Sequence, residues 1–127
     1  MKIILASTFA ALLAASSAAE ASPFTASFRW CSKTPQSTTS PAFTLSGVPK
    51  GTKTLALAMT DHQAGYHHGG GTVPYSGGKI PCGAIAYGWV GPFPPNGETH
   101  TYEFAIDAMD ASGKVLATAH ATRKFPE

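Results

Sequence analysis

Tyr102-Glu103-Phe104-Ala105-Ile106-Asp107-Ala108 is the stretch that decides the fold. Apolar side chains take every second position, and Glu103, Ala105 and Asp107 fill the alternate ones. That period of two belongs to a strand with one face on a core and one in water; a helix, with period 3.6, would scatter the set. The same pattern stands near the other end, where Phe24, Ala26, Phe28 and Trp30 share a face opposite Thr25, Ser27 and Arg29. Between them, Thr54-Leu55-Ala56-Leu57-Ala58-Met59 is a short apolar run suited to a central strand. Residues 84–90 are predicted as another apolar strand, 72–75 as a short edge strand interrupted by Pro74, and 115–122 as the final strand. Val48-Pro49-Lys50-Gly51 and residues 111–114 have turn composition. Residues 32–41 form an irregular connection, 62–71 a polar glycine-rich loop, and 91–99 a loop with three prolines. With 13 Gly and 10 Pro in 127 residues there is no room for a long helix. The expectation is one all-β, sandwich-like domain with little helix.

The charge pattern excludes several partners. Charged residues make up 13% of the chain, too few for a long solvated helix or coiled coil. Net charge is +2 and no basic run exceeds two adjacent residues, which argues against a nucleic-acid partner. At the N-terminus, Lys2, the apolar run from Ile3 to Ala15 and Ala19-Glu20-Ala21 predict a signal peptide over residues 1–21, with cleavage there or a few residues earlier. The competing reading is a membrane anchor, for which the run falls short of the ~20 residues a spanning helix needs. A mature domain of residues 22–127, periplasmic or secreted and without a transmembrane segment, is expected. In an oxidising compartment Cys31 and Cys82 read as a disulfide, with two buried free thiols as the alternative.

Four histidines, His62, His67, His68 and His100, lie in or beside predicted loops, where sites on rigid sheets are carried. Asp61, His62, His67 and His68 together offer ligands suited to zinc or copper, without an HExxH helix or a Cys/His ladder behind them. No nucleophile elbow, phosphate loop or dinucleotide fingerprint is present, so neither an enzyme nor a cofactor is implied. Besides Asp61, the expected mature chain holds Glu98, Glu103, Asp107, Asp110 and Glu127 as its Asp and Glu carboxylates, and three of these lie on or beside one strand, where solvated-face roles suit them better than paired acid–base work. Gly91-Pro92-Phe93-Pro94-Pro95-Asn96-Gly97 leads into His100-Thr101-Tyr102, where His100 and Tyr102 share a side. That loop is either a rigid connector or the wall of a site.

These segments resemble the phosphatidylethanolamine-binding protein family in its short bacterial Raf-kinase-inhibitor-like form. The resemblance rests on Ser40-Pro41-Ala42-Phe43, Ser46 to Lys53 leading into the Thr54–Asp61 strand, His68-Gly69-Gly70-Gly71, and the proline loop with His100 and Tyr102. It implies a β-sandwich with a small anion pocket at one end. Asp61 is similar to the first acid of the family's DPDxP motif, and His68, or else His67, to the histidine of its HW pair. Gly91, Pro92 and Pro94 then line the pocket with His100 and Tyr102. The chain departs from the pattern at His62-Gln63-Ala64-Gly65, at Gly69 in place of the tryptophan, and at Thr101 in place of an arginine. The implied function is non-catalytic binding of a small anion, phosphate or a phospholipid headgroup. The rivals are a protease or signalling inhibitor acting through its loop surface, and a periplasmic metal-binding protein.

Overall fold

The structure, a computed structural model, describes residues 24–127. The segment expected as a signal peptide lies outside the described residues. Strands β1 (Thr25–Arg29), β2 (Ala42–Ser46) and β5 (Lys79–Ile80) make one antiparallel sheet in the order β1-β2-β5. Strands β3 (Thr54–Asp61), β4 (Tyr66–Pro74), β6 (His100–Met109) and β7 (Val115–Phe125) make the second, in the order β4-β3-β6-β7. Among the described residues there is no helix, so the all-β expectation holds.

Period-two alternation drives the packing. In β6 every second residue from His100 to Ala108 is buried, and in β3 the buried set is Leu55, Leu57, Met59 and Asp61. Phe104 of the larger sheet meets Phe28 and Phe43 of the smaller one edge-on, with ring centroids 5.1 and 4.9 Å apart. Each such side chain contributes about 2–3 kcal/mol by leaving water. Both inward-facing rows change character at one end. Asp61 and His100 continue the apolar rows of β3 and β6 as buried polar groups, so the core is capped there by chemistry instead of hydrocarbon.

Two expectations need correction. Residues 84–90 are not a strand: left-handed backbone at Gly83 (φ +78°) and Gly88 (φ +82°) breaks the run, and only Trp89 bridges to Gly69. Ile85 and Trp89 are buried as anchors while Tyr87 is 90% exposed, a pattern without alternation. The loop expected over residues 62–71 is largely strand, because β4 begins at Tyr66. Its glycines serve close approach: a Cβ on Gly70 would lie 1.8 Å from the Leu57 carbonyl oxygen. Strands β2 and β5, five and two residues long, carried no signal of their own.

Cys31 and Cys82 are joined as a disulfide, Cα atoms 5.9 Å apart, which closes the alternative of two free thiols. It ties the chain leaving β1 to the chain leaving β5.

Candidate functional site

Asp61 is the last residue of β3 and 3% exposed. Its Oδ1 accepts the backbone N–H groups of Gln63 and Ala64 at 2.9 and 3.0 Å, so the carboxylate closes the turn that leaves the strand. Its Oδ2 lies 2.7 Å from His100 Nδ1. The other ring nitrogen, Nε2, lies 3.0 Å from Glu98 Oε2. His100 therefore stands between two carboxylates, and the ring that satisfies both donates from both nitrogens. The hydrogen bond to Asp61, followed by that to Glu98, raises the His100 pKa above 6.5, against the opposing effect of burial. Burial works to raise the Asp61 pKa, but the His100 hydrogen bond and the two backbone N–H groups outweigh it and hold the carboxyl below 3.8.

These shifts set a pH window with a sign. Asp61 contributes stability above pH 3.8 that is lost as pH falls through its lowered pKa. His100 contributes fully below pH 6.5, and its contribution is lost as pH rises through its raised pKa. Thermal melts across pH 5–9 are expected to show wild type losing its advantage over His100→Gln on the alkaline side. A stability difference between the two that grows from pH 6 to 9 would refute this assignment.

His68 reaches the same end of the sandwich by a different device. The β3–β4 register pairs Met59 with Gly69 but Thr60 with His67, so His68 is the extra residue of a β-bulge. A bulge re-aims the side chain it carries. His68 is 7% exposed, whereas His67 faces outward with Nδ1 3.1 Å from Thr60 Oγ1. His68 Nδ1 donates to the Val90 carbonyl at 2.9 Å, and the Val90 N–H returns a 2.9 Å bond to the His68 carbonyl. This clamp fixes the tautomer and leaves Nε2 as the ring's remaining polar atom.

A cavity of about 360 Å³ opens beside Asp61 and His68. Gln36, Ala64, Tyr66, Val90, Gly91 and Phe93 complete its lining. Gln36 has a left-handed backbone (φ 56°), uncommon for a residue with a side chain, and its N–H donates to the Pro92 carbonyl at 2.9 Å. Gly91 N–H donates to Ser37 O at 2.9 Å, so the proline loop is laced to the irregular connection after β1. A Cβ at Gly91 would come within 2.7 Å of that same oxygen.

Of the residues singled out from sequence, Asp61, His68 and Gly91 line this cavity, and Pro92, Pro94, His100 and Tyr102 do not. Pro92 acts through its carbonyl on Gln36, and His100 opens on a shallower surface with Gln63, Glu98 and Thr99. Tyr102 is wholly buried, its ring edge-on to His68 at 5.4 Å, and its hydroxyl has no hydrogen-bond partner among the described residues. Burial and then the negative charge of Asp61 push that phenol well above its usual range. Glu98, given no site role from the sequence, binds the second nitrogen of His100; its position two residues before His100 was the signal available. Gln36 had none. The set Asp61, His62, His67 and His68 does not converge, since His62 Nε2 faces Glu103 at 3.7 Å and His67 faces Thr60. Among the described residues no three His, Cys, Asp or Glu side chains gather as a metal site.

Comparison with known proteins adds the wider frame. The sequence model for phosphatidylethanolamine-binding protein matches residues 15–125. No curated protein matches the chain. The crystal structure of E. coli YbcL, described as a new member of the mammalian PEBP family, superposes with a TM-score of 0.60 at 21% identity, covering 80% of this chain and 97% of that one. The Chlamydia trachomatis PEBP homologue CT736 superposes at 0.57 with 18% identity, covering 83% and 98%. At such identities the likeness is one of fold.

Proposed function

The chain belongs to the phosphatidylethanolamine-binding protein family, and from that premise we propose that it is an exported, non-catalytic binder of a small oxyanion in the cavity beside Asp61 and His68. The observation that carries this reading is the clamped His68 ring, buried in the cavity wall with one nitrogen committed to Val90 and the other left to a ligand. The disulfide suits an oxidising compartment, and no helix among the described residues is long and apolar enough to cross a membrane.

Electrostatics narrows the ligand. A charged His100 between Asp61 and Glu98 leaves that group net negative, which opposes a bare dianion nearby. An oxyanion that also carries a donor, such as monohydrogen phosphate or a phosphoethanolamine headgroup, offers its hydroxyl or ammonium to Asp61 and to His68 Nε2, which accepts while Nδ1 carries the ring proton. Calorimetry at pH 7 should find phosphate or phosphoethanolamine binding more tightly than sulfate, which lacks the donor. His68→Ala should weaken binding about tenfold, from a lost charge-assisted hydrogen bond of ~1.5 kcal/mol. Unchanged affinity in His68→Ala, or sulfate binding as tightly as phosphate, would reject the assignment.

One observation favours a second reading. Tyr66, Val90 and Phe93 are 60%, 44% and 61% exposed around the cavity mouth, an apolar rim of the kind protein partners cover. An inhibitor working through that rim would keep its activity in His68→Ala.

A further inference from the structure

A second concavity, of about 600 Å³, lies on the other sheet, away from Asp61 and His68. Three cations line it: Arg29 from β1, Lys79 from β5 and Arg123 from β7. Ser27 stands opposite Thr44 in the ladder, and Thr44 opposite Lys79, so the three form one cross-strand row on the solvent face. Arg29, two residues along from Ser27, projects from the same face. The cations are positioned. Lys79 Nζ donates to Thr44 Oγ1 at 3.1 Å, and Arg123 Nη1 donates to the Phe28 carbonyl at 2.8 Å.

No carboxylate lines the groove. The sequence makes this systematic: between Phe24 and Gly97 the single acidic residue is Asp61, buried at the other site. Most other acids, from Glu98 to Asp110, belong to β6 and its flanking turns in the larger sheet. Acidic residues are thus gathered in the larger sheet and its turns, and none of them reaches the groove. Among the described residues, Glu127 is the one carboxylate paired with a groove cation, through Arg123 Nε.

We propose that this groove binds an acidic glycan, its sulfate or uronate groups held by Arg29, Lys79 and Arg123 and its hydroxyls by Ser27 and Thr44. Charge complementarity selects a polyanion, and the absence of anchors selects among polyanions. The exposed large apolar residues are Tyr66, Tyr87, Val90, Phe93 and Val115, and none lines the groove. Peptide partners seat aromatic or aliphatic anchors, and single-stranded nucleic acid stacks its bases on aromatic rings. A hydroxyl-rich acidic chain needs neither, and guanidinium forks match its sulfate and carboxylate oxygens.

The test uses a heparin-derived hexasaccharide and calorimetry at about 50 mM salt, where screening is modest. Binding is expected, falling steeply as salt rises. Arg29→Ala and Lys79→Ala should each weaken it about fivefold, and Glu127→Gln should tighten it by freeing Arg123. Lys114→Ala, in the β6–β7 turn, should leave it unchanged, and neutral dextran should not bind. Absence of binding overturns the proposal, as does an equal loss in Lys114→Ala, which would mean diffuse attraction. Polyglutamate or single-stranded DNA binding as tightly as the hexasaccharide would also overturn it. Melting curves of each variant confirm that the fold is intact, since all four side chains lie on the surface.

Discussion

Replacing Cys31 and Cys82 together by serine is expected to lower the unfolding free energy by about 4 kcal/mol, the chain-entropy value for a loop of this size. The bond spans 51 positions, so its removal returns a large conformational space to the unfolded chain. The folded state depends on it locally as well. Strand β5 has two residues, paired with Phe43 and Thr44, too short a ladder to hold a sheet edge alone. Cys82 follows two residues after Ile80 and pins that edge to the chain leaving β1, beside Trp30, whose indole N–H donates to the Lys124 carbonyl at 2.8 Å. Urea unfolding of the double variant against the oxidised wild type measures the effect. A loss below about 1 kcal/mol would show that the unfolded chain is already compact in this region. The groove around Lys79 would loosen in the same variant, since Cys82 lines it.

Gly69→Ala is expected to cost about 3 kcal/mol, by two additive causes. Gly69 has φ +82°, where a side chain is strained by roughly 1 kcal/mol. Its added Cβ would also lie 1.8 Å from the Gly88 carbonyl oxygen, a backbone atom that cannot rotate away. Relief requires the loop carrying Gly88, Trp89 and Val90 to lift from β4, at the ~1–3 kcal/mol typical of overpacking. Gly113→Ala separates the two causes, since that glycine has φ +85° and nothing within 4 Å of a built Cβ. It should cost only the conformational part, about 1 kcal/mol. Chemical unfolding gives both values, and equal losses would refute the collision. Because Val90 holds His68, Gly69→Ala should also weaken oxyanion binding through the lost clamp.

Legibility of this chain followed the reach of each signal. The rows Phe24-Ala26-Phe28-Trp30 and Tyr102-Phe104-Ile106-Ala108 declare strands because alternation is a property of neighbouring residues and needs no partner to be seen. The turn glycines Gly51 and Gly113, with φ +89° and +85°, sit where turn composition placed them. Residues 84–90 misled for the opposite reason. An apolar run of that length is equally consistent with a buried strand and with a loop anchored by two side chains. Here the positive φ values of Gly83 and Gly88 decided for the loop.

By itself, the sequence determined the all-β class and the strands β1, β3, β6 and β7, and it singled out Asp61, His68 and His100 by local motif and position. Tertiary structure decided what each of them does. Whether His67 or His68 turns inward depends on one extra residue between Met59 and Thr60 in the ladder, a register that exists only once β3 and β4 pair. Whether His100 faces a ligand or a carboxylate depends on Asp61, 39 positions away, and on Glu98. Gln36 entered the cavity wall from a connection without periodicity, through a backbone bond to Pro92. Alternation and turn chemistry are written in a few consecutive residues, whereas the orientation of a polar side chain is set by partners that only folding brings within 3 Å.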